Sequence, residues 1–341
     1  MSEMSALAPV DLAMGARPGG KWTEGVERKA AYAAALSPFA DASHVLLELS
    51  ELEMSASEVD RIAQLHGERI DRVQRAEEEE YRAPVDPLRA APEPSLRCER
   101  QVIEADATCV LTVAGEEHKS VYCGTVFDLD SRGQSDSGRP FVANRLYTAS
   151  AEDMADFGER LKALAWRGGM RGARETAFVG DGARCLWKWA QENLPSGTIL
   201  IQDFWHVCEH LSELAQALDG ESWQPRFHRW KRWLRQSKVH RILKEWRKEC
   251  SKRRGKTREL LEEEITYLEA GRERMDYVRF EREGWPIGSG AIEATCKHLV
   301  KERFRVTGAQ WRRANIPKML ALRIAIFNQE WEEYWESSKA A

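Results

Sequence analysis

The sequence has no apolar run long enough to cross a membrane. Its start, MSEMSALAPVDLAMGARPGGKW, lacks the basic n-region and the long apolar stretch of a signal peptide. Both absences predict a protein that stays in the cytoplasm with no membrane partner. There is no C-x-x-C pair, and the seven cysteines, at 98, 109, 123, 185, 208, 250 and 296, are scattered and odd in number. This argues against a zinc ribbon and a disulfide framework and leaves buried, reduced thiols. Net charge is also small: a formal −4 gives no global signal for a polyanionic partner, so any such signal must be local.

A local signal is present. From Lys231 to Arg258 there are thirteen Lys or Arg against two Glu, Glu245 and Glu249. Such a block can face a polyanion while the whole chain stays acidic. Trp230, Trp233 and Trp246 are interleaved with it; they read mostly as core, the cations mostly as facing DNA, with Arg253, Arg254 and Lys256 as candidate phosphate contacts. The chain is long enough, and apolar enough at 43%, for a sizeable core and two domains.

Residues 1–40 are Ala- and Gly-rich without a clear period and predict a disordered start. Helical periodicity follows over 43–52 and 57–80, where the pair reads either as a helix-turn-helix or as a hairpin packed on something else. The four prolines of RAPVDPLRAAPEPSLR, residues 82–97, predict a linker between this region (1–81) and the rest (98–336). Beyond it, residues 100–113, 118–130 and the stretch PFVANRLYTAS read as three consecutive strands, and residues 150–169 as a helix. Two short apolar runs, at Ala177–Val179 and Thr198–Ile201, each end in an Asp and lead into a helix. The order β-β-β-α-β-α-β-α is ribonuclease-H-like: an α/β fold with a mixed sheet. A large helical insertion, about 212–284, and a small helical N-terminal region complete it. Ser289 is a candidate cap for a helix carrying Ile292, Cys296, Leu299 and Val300, and a last helix is expected from Pro317 to Trp335.

Acidic residues at strand and helix ends carry the chemistry. Asp106 lies mid-strand in apolar surroundings, Asp181 where a parallel strand ends, and Glu293 on the first turn of a late helix. Three such carboxylates from distant segments suit two-metal phosphoryl transfer with Mg²⁺ or Mn²⁺. A competing pattern is His206-x-x-Glu209-His210, which has the spacing of a zinc hydrolase motif.

The blocks FVGDGARCLWKWAQENLP, ILIQDFWHVCEHL and PIGSGAIEATCKHLVKERFRVTGAQWRRANIPKMLALRIAIFNQEWEEYW resemble the DDE transposases of bacterial insertion sequences. The nearest group is the ISKra type, related to Mutator-like transposases. The resemblance spans about residues 100–336. It implies that Asp181 in G-D-G and Glu293 in G-S-G-x-x-E are catalytic metal ligands together with Asp106. Here Ala107 follows Asp106 where the family has Gly, so Asp128 and Asp130 remain fallbacks. It pairs Asp203 with His206 as a supporting D-x-x-H motif, with Glu209 and His210 only continuing the helix. It implies a transposase that binds double-stranded DNA at element ends and target, cleaves it and joins 3′-hydroxyls, working at the nucleoid as a homo-oligomer. Lys297, Lys301, Arg303 and Arg305 become candidate DNA contacts. The rivals are a degenerate relative that binds DNA without cutting, and a zinc hydrolase built on His206 and His210.

Overall fold

The computed structural model describes residues 21–82, 92–138 and 140–340. The expectation of a disordered start for residues 1–20, and residues 83–91 of the linker, lie outside that range. Three helices lead: α1 (Glu24–Leu36), α2 (Phe39–Ser50) and α3 (Ala56–Arg82). The strands β1 (Arg100–Val110), β2 (Lys119–Asp128), β3 (Arg132–Gln134), β4 (Pro140–Val142) and β5 (Leu146–Ser150) follow. After α4 (Met154–Arg167) come β6 (Glu175–Gly180), α5 (Arg184–Asn193) and β7 (Ile199–Gln202). The long helical stretch is α6 (Phe204–Asp219), α7 (Gln224–Arg235), α8 (Val239–Cys250), α9 (Lys256–Gly271) and α10 (Tyr277–Arg282). Helix α11 (Gly290–Thr295) runs on through a π-helical turn, Cys296–Lys301, and a closing turn, Glu302–Phe304. The chain ends in α12 (Ile316–Phe327) and α13 (Trp331–Ala340).

The fold is α/β, built on one mixed sheet of order β5-β2-β1-β6-β7. β5, β2 and β1 are antiparallel neighbours, while β1, β6 and β7 run parallel. The central parallel strand shows why the apolar run was needed: in β6, Thr176 to Gly180 are all buried, as a strand covered on both faces must be. On one face Ile103, Ala105 and Phe178 pack under α4 and α5. On the other, Val102, Ala177, Val179 and Ile201 pack against α6 to α10. A third apolar cluster joins α1, α2 and α3 to Val110, Val121 and Cys123 of the sheet and to α11, α12 and α13.

Several expectations are corrected. Residues 24–36 are not an irregular start but a helix. Its alanines hid the period, because Ala30, Ala31, Ala34 and Ala35 all face the core at 0% exposure, and Ala has the highest helix propensity. The third expected strand is two: β4 pairs with β3 in a separate hairpin, and only β5 joins the sheet. Ser150 ends β5 and does not start the next helix, which is capped by Asp153 accepting from the N–H groups of Ala155 and Asp156. The last expected helix breaks at Asn328–Glu330, where Gln329 takes a φ of 63°. There Asn328 accepts from the Tyr147 N–H (2.8 Å) and donates to its C=O (3.1 Å), satisfying the exposed edge of β5 as a further strand would.

Buried arginines tie the N-terminal helices to the end of the chain. Arg323 donates from Nε to the Leu299 carbonyl (2.7 Å) and from its other nitrogens to the carbonyls of Ala35 and His298. Arg303 donates to the Ala34 carbonyl at 2.7 Å. These carbonyls belong to the last turn of α1 and to the π-helical turn, and the buried ones at a helix end need partners. Burial pushes both guanidinium groups down to about 10, still charged at neutral pH.

Candidate active site

Register places the first two carboxylates side by side. Ala105 of β1 pairs with Gly180 of β6, and each strand's next residue is an aspartate, Asp106 and Asp181. Adjacent strands lie about 4.8 Å apart, so both side chains stand at one level. Asp106 is also opposite Cys123 of β2, and Cys296 of the π-helical turn donates to its Oδ2 at 3.8 Å. The same register sets the fallbacks apart from this pair. Asp128 pairs with Gln101, five residues before Asp106, about 17 Å away along the strand, and Asp130 lies beyond it.

Asp181 is held by its loop. Its Oδ1 accepts from the Ala183 N–H (3.0 Å), and its carbonyl accepts from Gln202 Nε2 (2.9 Å) and the Tyr267 hydroxyl (3.3 Å). Gly182 takes φ +119°, and a Cβ there would lie 2.6 Å from Gln202 Nε2, so the second glycine of G-D-G is required by both conformation and space.

Asp203 plays a different part. It is buried, at 2% exposure, and all its bonds go to protein. Oδ1 accepts from the N–H groups of Trp205 (2.5 Å) and His206 (3.2 Å), capping α6. Oδ2 accepts from the Ser289 N–H (2.9 Å) and from the Ser289 hydroxyl. The expected Ser289 cap on α11 is therefore not formed; its hydroxyl is committed to Asp203. A second buried acid, Glu104, replaces it, accepting from the Ile292 N–H at 2.8 Å. Two acids from the sheet side thus hold the G-S-G loop and the first turn of α11, and that turn presents Glu293. Sequence reasoning missed Glu104, although alternation along β1 puts it on the same face as Asp106. Burial above all, with repulsion from Asp203 and Glu293 added and the Ile292 N–H opposing, pushes its carboxyl up to about 8.

Asp106, Asp181, Asp203, His206, Glu209 and Glu293 line one open cleft of about 770 Å³, with Lys297 and Lys301 on its wall. Burial first, and then the neighbouring Asp181, raise the Asp106 carboxyl above the usual range, with Lys301 opposing. Burial, then Asp203, Asp106 and Glu209, raise that of Glu293. Negative charge is therefore concentrated here beyond what the protein compensates.

The histidines of the D-x-x-H and H-x-x-E-H patterns are arranged otherwise than expected. The His206 ring does not turn back to Asp203, which bonds only its backbone. Its Nε2 lies 3.3 Å from His210 Nε2, and its Nδ1 lies 3.2 Å from Glu209 Oε2. His210 Nδ1 meets both oxygens of Glu264, at 2.9 and 3.0 Å. Glu209 and His210 thus do more than continue the helix.

Of the expected DNA contacts, Lys297, Lys301, Arg305, Arg254 and Lys256 are exposed and have no ion pair among the described residues. Arg253 pairs with Glu249 at 3.6 Å. Arg303 is corrected: at 2% exposure, with its guanidinium on Ala34 and its face over Phe39 and Trp311, it belongs to the core. Trp230 and Trp246 are fully buried.

Among the described residues no three His, Cys, Asp or Glu side chains already enclose a metal-sized space; the carboxylates face one another across an open cleft. Their chemistry nevertheless fits a hard divalent cation, since Asp106, Asp181 and Glu293 offer oxygens only and their mutual repulsion would be relieved by one. The chain matches no protein-family model, and no curated protein matches it at a significant level.

Proposed function

We propose that this chain is a DNA-processing phosphoryl transferase of the DDE transposase kind, with the sheet as a ribonuclease-H-like core and Asp106, Asp181 and Glu293 as its working carboxylates. One observation carries the reading. Two aspartates stand at adjacent positions of neighbouring parallel strands, Asp106 within β1 and Asp181 just past the end of β6, and the turn that carries a glutamate from a far segment is held by two buried acids, Asp203 and Glu104. The open carboxyl end of parallel strands is where α/β sheets form their sites.

Each residue then has a task. Asp106 and Asp181 hold one side of the site and Glu293 the other. Asp203 and Glu104 position Glu293 through the G-S-G loop. Lys297 and Lys301, on the cleft wall, offset phosphate charge. Mg²⁺ or Mn²⁺ held by the three carboxylates would activate a water or a 3′-hydroxyl and stabilise the leaving oxygen. The motif resemblance supplies transposition as the biological setting, with DNA ends and target as substrates and a homo-oligomer as the working form.

The test uses full-length protein and labelled duplex DNA carrying the sequences that flank its gene. Nicking that requires Mg²⁺ or Mn²⁺ is expected. Asp181→Asn and Glu293→Gln should each lower it by at least about 100-fold, the upper end of what losing a metal's outer partner costs, and leave DNA binding intact. Wild-type-like cleavage by Asp181→Asn, or cleavage restored to chelated protein by zinc alone, overturns the assignment. Binding without cleavage under any metal leaves the DNA-binding relative.

A further inference from the structure

His206 and His210 lie one turn apart on α6, and their ring nitrogens can be assigned from their partners. Each Nδ1 faces a carboxylate, Glu209 for His206 and both oxygens of Glu264 for His210. A carboxylate beside Nδ1 favours the tautomer that carries its proton there. In a neutral imidazole the other nitrogen is then a lone pair. Both lone pairs, on the two Nε2 atoms, face each other at 3.3 Å. At this separation the two nitrogens share one proton in a hydrogen bond or, with that proton displaced, can hold one metal ion between them.

The spacing suits a metal. Ligand nitrogens about 2.0–2.1 Å from a tetrahedral zinc ion stand roughly 3.3–3.4 Å apart. The surroundings suit one too. A histidine ligand normally donates its far N–H to a carboxylate, which fixes its tautomer and strengthens it as a donor. Glu264, 11% exposed at its side chain, does this for His210, and Tyr267 stacks on the same ring at 4.1 Å, 17° from parallel. The edge of His206 is on the wall of the carboxylate cleft.

We infer that His206 and His210 form a divalent transition-metal site of the zinc class, separate from the three working carboxylates, with its remaining coordination positions open to the cleft. Imidazole nitrogen selects zinc, cobalt or nickel over magnesium. Two protein ligands make the site exchangeable, and water or a phosphate oxygen in the cleft completes it. Without metal the gap is filled by a proton. A metal must displace that proton, so affinity falls as pH falls.

The test is a titration of the full-length protein with Co²⁺, followed by visible absorption, and with Zn²⁺ by calorimetry, at pH 7.5 and 6.0 with Mg²⁺ in excess. One ion is expected to bind, at least about 10-fold more weakly in His206→Ala and in His210→Ala, and also more weakly in Glu264→Gln. Asp181→Asn should bind as wild type does, which keeps the outcome independent of the phosphoryl-transfer reading. Thermal unfolding checks that each variant is folded; His206 is half-exposed, so its variant tests the site without disturbing the core. Absence of binding, binding unchanged in both histidine variants, or binding lost instead in Asp181→Asn overturns the inference.

Discussion

At the scale of the residue, the acids of the site divide by what their oxygens touch. Asp203 spends four bonds on protein donors, two on its own helix and two on Ser289. Asp181 spends one side-chain oxygen on Ala183 and leaves the other to the cleft. An amide at Asp203 would aim an N–H₂ at one pair of donors, so Asp203→Asn should destabilise by about 3 kcal/mol, the cost of leaving buried donors unpaired. Its Tm should fall by roughly 4 °C, the shift that loss gives in a chain of 341 residues. Asp181→Asn keeps its one bond and loses a repulsion, so its stability should stay within about 0.5 kcal/mol of wild type or rise. Chemical denaturation of the two variants side by side separates a positioning acid from a working one. Equal losses in both would mean that Asp181 too is structural and would remove it from the proposed chemistry.

At the scale of the element, α3 is seated on α12 so closely that one position admits only glycine. A Cβ on Gly67 would lie 2.3 Å from the Lys318 carbonyl oxygen, a backbone atom that cannot step aside. Gly67→Ala should therefore push the helices apart and cost about 1–3 kcal/mol, read as a lower midpoint in urea; an unchanged midpoint would mean that the helices cross less closely. This packing was not legible in the sequence, where Gly67 is only a weak spot in a periodic helix. What was legible followed from strong local patterns. The apolar runs before Asp181 and Asp203 had to be buried strands, and an acid inside the apolar β1 had to be paired or functional. What was not legible depended on partners far along the chain. Glu104 is caught by Ile292, Ser289 is taken by Asp203, and the all-alanine face of α1 becomes core because α2, α3, α12 and Arg323 meet it. The π-helical turn after Thr295 had no local signal either.

At the scale of the whole molecule, the question is which cations are left for a polyanion once the fold has used its share. The basic block between Lys231 and Arg258 looked unopposed along the chain, but acids from other helices fold back onto it. Glu281 reaches Arg235 at 2.8 Å, and Glu269 pairs with Arg247. Glu249 serves both Lys252 and Arg253, at 3.1 and 3.6 Å. Exposed pairs of this kind contribute little to stability, yet each removes a positive charge that would otherwise displace a counterion from DNA. By contrast Lys297, Lys301 and Arg305 follow Glu293 along one continuous stretch, are exposed, and have no ion pair among the described residues. Lys297 and Lys301 also line the cleft of the carboxylates, where the proposed chemistry would bring a scissile phosphate. Changing Lys297, Lys301 and Arg305 together to Ala should weaken binding to duplex DNA across sequences. It should also reduce the magnitude of the salt slope by roughly 2–3, at about 0.9 for each phosphate no longer neutralised. Changing Arg253, Arg254 and Lys256 together should reduce it by less, because Arg253 already has a partner. Arg303 is excluded from both sets, since its removal would open the core beside Ala34. The measurement is fluorescence anisotropy of a labelled duplex at several salt concentrations, in EDTA so that the carboxylates hold no metal. A larger fall in slope for the second set would move the DNA path from the α11 side of the cleft to the turn between α8 and α9, and the strand entering the site would then have to run across the helical stretch.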